Sequence, residues 1–399
     1  MDRNAGLPPL SLYVHVPWCV RKCPYCDFNS HGIGRDAELP EEDYLAALLD
    51  DLAQESALIT PRPLHSIFIG GGTPSLMSPD FYARLLAGID TQIGMTSDIE
   101  ITMEANPGTF EQERFAGFKA AGVNRLSLGI QSFDDHALQA LGRIHSGDDA
   151  YTAADRARAA GFDNINLDLM HGLPEQSVEA ALYDIERALS LQPTHLSWYQ
   201  LTLEPNTEFF SKPPVLPEED ILCDIQEAGH QYLSDHGFKR YEISAYSRHV
   251  AGYDYRSRHN LNYWQFGDYI GIGAGAHGKL SMRSLQGELD VVRRWKTRQP
   301  EAYLRRRHDP RGYLAGQREV AIDERGLEFL MNALRLVDGV DRQWWTSRTG
   351  LDMADLDAQT REACARGLLD DSSTRLKASE QGLLFLNDLL ALCDLDNKD

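Results

Sequence analysis

The sequence predicts an α/β fold: an incomplete (β/α)6 barrel, an appended cap region, and a small, mostly helical, winged-helix-like C-terminal domain. Two observations predict the barrel. Short apolar, β-branched runs recur along the first half of the chain, and each is followed by a polar or Gly/Pro break and an Ala/Leu-rich stretch of helical period. Six such units imply a parallel sheet with right-handed crossovers, two short of a full barrel. A third observation predicts the smaller domain, since the strand signal gives way to helical periodicity beyond residue 313.

The expected strands are Leu12–Val16, Ser66–Ile69, Ile99–Met103, Arg125–Gly129, Ile165–Leu169 and His195–Leu201. Helices are expected over Glu41–Leu58, Pro79–Ile93, Phe110–Ala121, His136–Leu141, Asp148–Ala160 and Ser177–Leu191. Together they make a first domain, 1–217. Over 218–312 the unit no longer repeats, and the region reads as an appended cap or extra strands. A helix at Glu218–His236 leads to an extended Tyr241–Ala245, an aromatic segment Tyr253–Phe266 and a Gly-rich turn Gly267–Gly278. Here Val292–Gly312 carries eight Lys or Arg against two Asp or Glu, a net of +6. It reads as a solvated helix and linker, with contact to an anionic surface as the functional alternative. Over 313–399, Leu327, Phe329, Leu330, Ala333 and Leu334 share a helix face, Leu369–Arg375 reads as a hairpin and Ala378–Leu392 as a last helix. Winged helices often bind DNA, but the mixed local charge favours an interaction or lid domain.

The 399 residues hold 39 Lys and Arg against 60 Asp and Glu, a formal charge of −21 that repels a phosphate backbone and argues against a nucleic-acid partner. No run approaches the roughly 18 apolar residues of a membrane span, and Met1–Pro9 lacks a signal-peptide core, so a cytoplasmic protein is expected.

Three of the six cysteines fall in Cys19-Val20-Arg21-Lys22-Cys23-Pro24-Tyr25-Cys26, on the loop after the first strand. Three thiolates on one loop suit three irons of a [4Fe–4S] cluster and leave the fourth iron open. Zinc wants four closed ligands, and only His15 or His31 is near for the fourth. The scattered Cys223, Cys364 and Cys393 read as core packing. Gly70-Gly71-Gly72-Thr73-Pro74 follows the second strand, where glycines let a ligand approach the backbone. Glu104, Gln131, Arg143 and Asp168 lie in, at or beyond the carboxyl ends of later strands, the edge where parallel β/α folds collect ligands.

The CxxxCxxC loop, with Tyr25 before its last cysteine, resembles the radical S-adenosylmethionine (SAM) superfamily. That resemblance implies a [4Fe–4S] cluster on Cys19, Cys23 and Cys26, with SAM on the open iron. It further implies SAM contacts from Tyr13, Tyr25, Gly71, Gly72, Thr73, Glu104, Gln131, Arg143 and Asp168. Through Tyr13–Cys19, Glu104–Pro107, Ser127–Phe133 and Asp168–Pro174 the whole chain is similar to the branch that holds oxygen-independent coproporphyrinogen III oxidase and the HemW-type haem chaperones. The oxidase has a further cysteine where this chain has Phe28, and a longer segment than the 18 residues before Cys19. Both departures favour the chaperone over the enzyme alternative, a coproporphyrinogen III dehydrogenase; a redox-sensing haem carrier is the binding-only alternative.

His259-Asn260-Leu261-Asn262-Tyr263-Trp264 resembles the HNxxYW segment of those chaperones. It implies haem held by His259, with Asn260, Tyr263 and Trp264 around it and His15 and His277 as the next candidates. An unperturbed imidazole ligand predicts binding that weakens as pH falls through about 6.5. Partners implied are haem, a haem donor protein, a second copy in a homodimer, and respiratory haem proteins at the cytoplasmic membrane face, where the protein would sit peripherally.

Overall fold

The structure is a computed structural model and describes residues 6–34, 38–108, 113–284, 287–370 and 372–394. Its centre is six strands taken in chain order: β1 (Leu10–Val16), β2 (Leu64–Gly71), β3 (Met95–Ala105), β4 (Arg125–Gln131), β5 (Asn164–His171) and β6 (His195–Gln200). Each pairs parallel with the one before it. Six of the seven β1 residues are buried, as a parallel strand covered on both faces requires.

The helices between them are α1 (Glu41–Ser56), α2 (Pro79–Gln92), α3 (Phe115–Ala121), α4 (Gly147–Ala159) and α5 (Val178–Ser190), with a shorter helix, Asp135–Ala140, ahead of α4. Local chemistry sets their starts. Ser78 accepts from the Phe81 amide at 3.2 Å with Pro79 next to it, Ser146 and Asp149 form a capping box, and Ser177 accepts from the Ala180 amide at 3.2 Å. The expected start of a helix at Phe110 lies outside the described residues.

The sheet stays open and grows from both edges. The region after β6 holds α6 (Glu219–Asp235), β7 (Phe238–Glu242), β8 (Ala245–Val250), β9 (Tyr253–Asp254) and α7 (Arg258–Trp264). It continues with β10 (Asp268–Ile272), β11 (His277–Arg283), β12 (Leu289–Lys296) and β13 (Leu314–Glu319). The order of the thirteen strands is β9-β8-β6-β5-β4-β3-β2-β1-β10-β11-β12-β13, with β7 beside β8. Of the two readings of this region, a cap or extra strands, the structure has the strands, which extend the sheet. Tyr241–Ala245, expected as one extended run, is the turn of the β7–β8 hairpin, and the Gly-rich stretch supplies β10 and the start of β11.

The basic stretch is not a linker. It forms the end of β12 and a short helix, Pro300–Arg305, and most of its cations face acids of this chain. Lys296 lies 2.5 Å from Asp51 and 2.6 Å from Glu55, Arg294 3.0 Å from Glu55, Arg307 3.0 Å from Asp50, and Arg293 2.6 Å from Glu328. Three of the eight cations, Arg294, Lys296 and Arg307, thus pair with α1, while Arg298 and Arg305 are exposed and in no ion pair among the described residues.

The C-terminal part packs α8 (Ile322–Ala333), α9 (Trp344–Thr349), α10 (Met353–Ala365), α11 (Glu380–Leu384) and α12 (Leu386–Cys393) around Phe329, Leu330, Trp345, Leu356 and Leu389. Tyr241, Phe266 and Val291 belong to the same cluster and dock it on the sheet. From the expected hairpin at Leu369–Arg375 the chain folds back, Leu369 bridging antiparallel to Ala378, and Val340–Asp341 pairs with its returning arm, Arg375–Leu376, residue 371 lying outside the described residues. Cys393 is buried as expected, but Cys223 and Cys364 are exposed. Among the described residues no helix is long and apolar enough to cross a membrane.

Candidate functional site

A cavity of about 340 Å³ lies inside the barrel. Strand alternation decides what lines it: Arg125, Ser127, Gly129 and Gln131 are successive inward positions of β4, Asn166 and Asp168 of β5, and Ser197 and Tyr199 of β6. At the carboxyl ends of the strands it meets Cys19, Cys23, Tyr25, Cys26, Gly71, Gly72 and Thr73. Elsewhere it reaches Glu242, Ser244, Asn260 and Trp264.

The root of the cysteine loop is fixed by β2. The Gly72 amide donates to the Val16 carbonyl and the Thr73 amide to that of Trp18, both at 2.7 Å. A Cβ on Gly72 would stand 2.5 Å from the Trp18 oxygen, and one on Gly71, at φ +113°, 2.5 Å from the His15 ring. These glycines let the two loops press together, a packing duty in addition to the ligand approach expected of them. His15 is pinned in turn. Burial pushes its pKa down to about 4, so the ring is neutral; Nε2 donates to the Asn29 carbonyl at 3.0 Å, and Nδ1 therefore accepts from the Tyr13 hydroxyl at 2.9 Å. Asn29 Nδ2 completes the brace, donating to the carbonyls of Ala274 and Arg298 at 2.9 and 2.8 Å.

The three cysteines are partly exposed, with Arg143 Nη1 3.7 Å from Cys23 Sγ and Ser30 Oγ 3.5 Å from Cys26 Sγ. Among the described residues no three His, Cys, Asp or Glu side chains gather around a single-ion position. Burial pushes the Cys19 thiol up, which makes its deprotonation dependent on the metal's charge.

Besides Glu242, the carboxylates of Glu104 and Asp168 line the cavity. Burial, and next the charge of Asp168, push Glu104 up to about 7, while its Oε2 accepts from the Gly71 amide at 3.1 Å. Asp168 is raised by burial and accepts from Ser127 Oγ and Asn166 Nδ2, each at 2.8 Å. Gln131, at φ +73°, takes the Tyr199 hydroxyl on Oε1 at 2.7 Å, and Arg143 Nη2 donates to the Asn106 side chain and Gly129 carbonyl at 2.7 Å. A positively charged ammonium and a carboxylate, the two ends of an amino acid, would each find a complement here.

Of the SAM contacts implied by the resemblance, Tyr25, Gly71, Gly72, Thr73, Glu104, Gln131, Arg143 and Asp168 line this cavity; Tyr13 does not, its hydroxyl being given to His15. The HNxxYW residues divide by helical period. Asn260 and Trp264, four apart on α7, line the cavity, whereas His259 and Tyr263, also four apart, point elsewhere. His259 is 1% exposed, its ring 5.1 Å from that of Phe68 and 4.6 Å from that of Tyr263, and burial pushes its pKa down to about 3. Its Nδ1 is 3.4 Å from Ser66 Oγ, and its Nε2 is buried without a partner. Tyr263 lines a second space of about 110 Å³ with Tyr269 and Arg293. Sequence reasoning missed Arg125, Ser127, Asn166, Ser197 and Tyr199, for which the signal was the polar member of each strand's alternation.

The radical SAM superfamily profile matches residues 13–188, and that of the HemN C-terminal domain residues 321–385. The chain is 49% identical over 386 residues to the heme chaperone HemW of Escherichia coli (strain K12), covering 97% of this chain and 98% of that protein. It is 34% identical to heme chaperone HemW of Bacillus subtilis (strain 168), over 95% of this chain and 97% of that protein. The mitochondrial radical S-adenosyl methionine domain-containing protein 1 of Mus musculus is 37% identical, over 95% and 86%. Among solved structures, coproporphyrinogen III oxidase (HemN) from Escherichia coli superposes with a TM-score of 0.79 at 21% identity, over 98% of this chain and 91% of that one, a likeness of architecture.

Proposed function

This chain belongs to the HemW family of radical SAM proteins, and from that premise we propose that it is a haem chaperone. It binds a [4Fe–4S] cluster on Cys19, Cys23 and Cys26, SAM in the barrel cavity, and haem as cargo through the α7 segment. In the cytoplasm it hands haem to respiratory haem proteins at the inner face of the membrane. The observation that carries this reading is near-full-length similarity at 49% identity to a heme chaperone. The cavity in which the cysteine loop, Asn260 and Trp264 all take part supports it.

When bound, the cluster supplies an electron to SAM. The residues do the rest. Arg143, anchored on Asn106 and Gly129, holds a carboxylate near Cys23; Glu104 and Asp168 complement an ammonium and ribose hydroxyls; and Tyr199 fixes Gln131 in its left-handed backbone. To reach a haem iron, His259 has to leave its packing against Phe68 and Tyr263. An imidazole nitrogen that has no partner in its buried position supports such a ligand role.

Anaerobic reconstitution with iron and sulfide, followed by haem titration and transfer to an apo haem protein, tests the proposal. Cys19→Ala, Cys23→Ala and Cys26→Ala should each lose the cluster absorption, and His259→Ala should weaken haem uptake while iron content is kept. Full iron content in the triple cysteine variant would refute the cluster assignment. Conversion of coproporphyrinogen III to protoporphyrinogen IX by the reconstituted protein would favour the oxidase reading over the chaperone.

A further inference from the structure

Arg125 opens β4 and is 2% exposed, yet it lines the cavity. Its Nε is buried without a partner, and among the described residues its guanidinium makes neither a hydrogen bond nor an ion pair. A buried cation left this way is costly unless something else answers its charge. Asp168 feels its charge, which works against the upward push of burial on that carboxyl, but among the described residues no acid pairs with the guanidinium directly, their oxygens being bonded elsewhere. Asp168 is taken by Ser127 and Asn166, and Glu242 by Ser244 and by Arg335 at 3.4 Å. Glu100 accepts the amides of Arg258 and His259 at 3.0 and 3.3 Å. One further group on the same cavity wall lacks a partner, the buried donor Trp264 Nε1, and the Asn260 side chain also lines that wall.

We propose that Arg125, with Trp264 Nε1 and the Asn260 amide, is the receptor for a ligand carboxylate at the end of the cavity away from the cysteine loop. A planar guanidinium presents its N–H groups as a fork that matches a carboxylate's two oxygens. This rests on the haem and SAM reading above, because both ligands carry carboxylates. Arg143, beside Cys23, already offers a cation at the cluster end, and the Arg125 end is flanked by α7, so a haem propionate is the occupant the placement favours. The space is near the lower bound of the about 300–1,000 Å³ that enclose drug-sized ligands, so it admits the acidic edge of a macrocycle and not the whole.

The test compares haem with its dimethyl ester, and SAM by equilibrium dialysis, on wild type, Arg125→Gln and Arg125→Lys with matched melting profiles. Loss of one charge-assisted contact predicts roughly 10- to 100-fold weaker haem binding in Arg125→Gln, partial recovery in Arg125→Lys, and equal affinity of all three for the ester. Wild type should also hold haem more tightly than the ester, a comparison that needs no variant. If SAM affinity falls instead while haem is unaffected, the receptor stands and its carboxylate is that of SAM. Haem and SAM affinities both unchanged in folded Arg125→Gln would overturn the proposal. Should wild type take up no haem, the cargo reading fails and the SAM arm alone decides Arg125.

Discussion

Replacing Gly71 by alanine asks whether the cysteine loop is held by packing on β2. Two costs add. Gly71 sits at φ +113°, where a side chain strains the backbone by about 1–3 kcal/mol. Its Cβ would then lie 2.5 Å from His15 Cε1 and 2.6 Å from Nδ1. The ring cannot swing aside without surrendering its bonds to Asn29 and Tyr13, each worth about 0.5–1.5 kcal/mol. The total expected is about 2–6 kcal/mol of lost stability. Gly94 supplies the control: it has φ +87° and nothing within 4 Å of an added Cβ, so Gly94→Ala carries the backbone strain alone. Urea unfolding followed by tryptophan fluorescence compares the two, and iron uptake after anaerobic reconstitution reports the loop, since Asn29 stands just beyond Cys26. Gly71→Ala should be the more destabilised and the poorer in iron, and His15→Ala introduced beside it should cost less than it does alone. Equal stability of the two glycine variants, or additive behaviour of the pair, would refute the reasoning.

Lys296→Met should destabilise the fold by about 3–5 kcal/mol, because it strands buried Asp51, with Glu55 beside it, after removing their shared cation; a denaturation midpoint like that of wild type would show the pair to be solvated. His259→Phe should fold within about 1 kcal/mol of wild type at pH 7, since it removes an unpartnered buried nitrogen along with a weak bond to Ser66. The sign of its pH dependence is set by a folded pKa of about 3, below the unfolded value of about 6.5: the contribution of neutral His259 is complete above 6.5 and is lost as pH falls toward 3. Between pH 7 and pH 5 the balance should therefore move toward the Phe variant by about 2 kcal/mol, and a stability gap independent of pH would contradict the buried imidazole.

The six parallel strands were legible because a strand covered on both faces must be apolar along its length, and the runs around Leu12, Ile67, Ile101, Leu126, Leu167 and Leu196 say so directly. The polar residues among them were the harder half of the message. Ser127, Asn166 and Ser197 read as interruptions of apolar strands, although two-residue alternation turns them inward to line the cavity. Beyond residue 218 only β10 joins the sheet in parallel, beside β1, the other added strands being antiparallel, and β12 holds three of the cations that made the stretch look like a solvated linker. Only the fold brings Asp51 and Glu55 within reach of Lys296, more than 240 residues away. The HNxxYW segment was legible as a motif but not in orientation. Helical spacing alone separates Asn260 and Trp264 from His259 and Tyr263, and which pair meets the cavity is decided by where α7 packs.

That packing gives the cavity two unlike ends. The cysteine loop leaves the carboxyl end of β1, whereas α7 lies against the amino-terminal halves of its neighbours: Arg258 reaches Asp98, Glu100 caps the first amides of the helix, and His259 sits beside Ser66 and Phe68. A ligand gripped by α7 would therefore meet the barrel from the side opposite the cysteine loop. The two ends share one wall. The His259 ring lies 6.5 Å from that of Tyr13, whose hydroxyl serves His15, whose Nε2 in turn serves the Asn29 carbonyl behind Cys26. Because each of these groups is buried and has a single acceptor or donor to satisfy, turning His259 out toward a ligand would remove the ring against which Tyr13 rests. The cluster loop is thus braced by the same aromatic stack that a ligand at α7 would have to open.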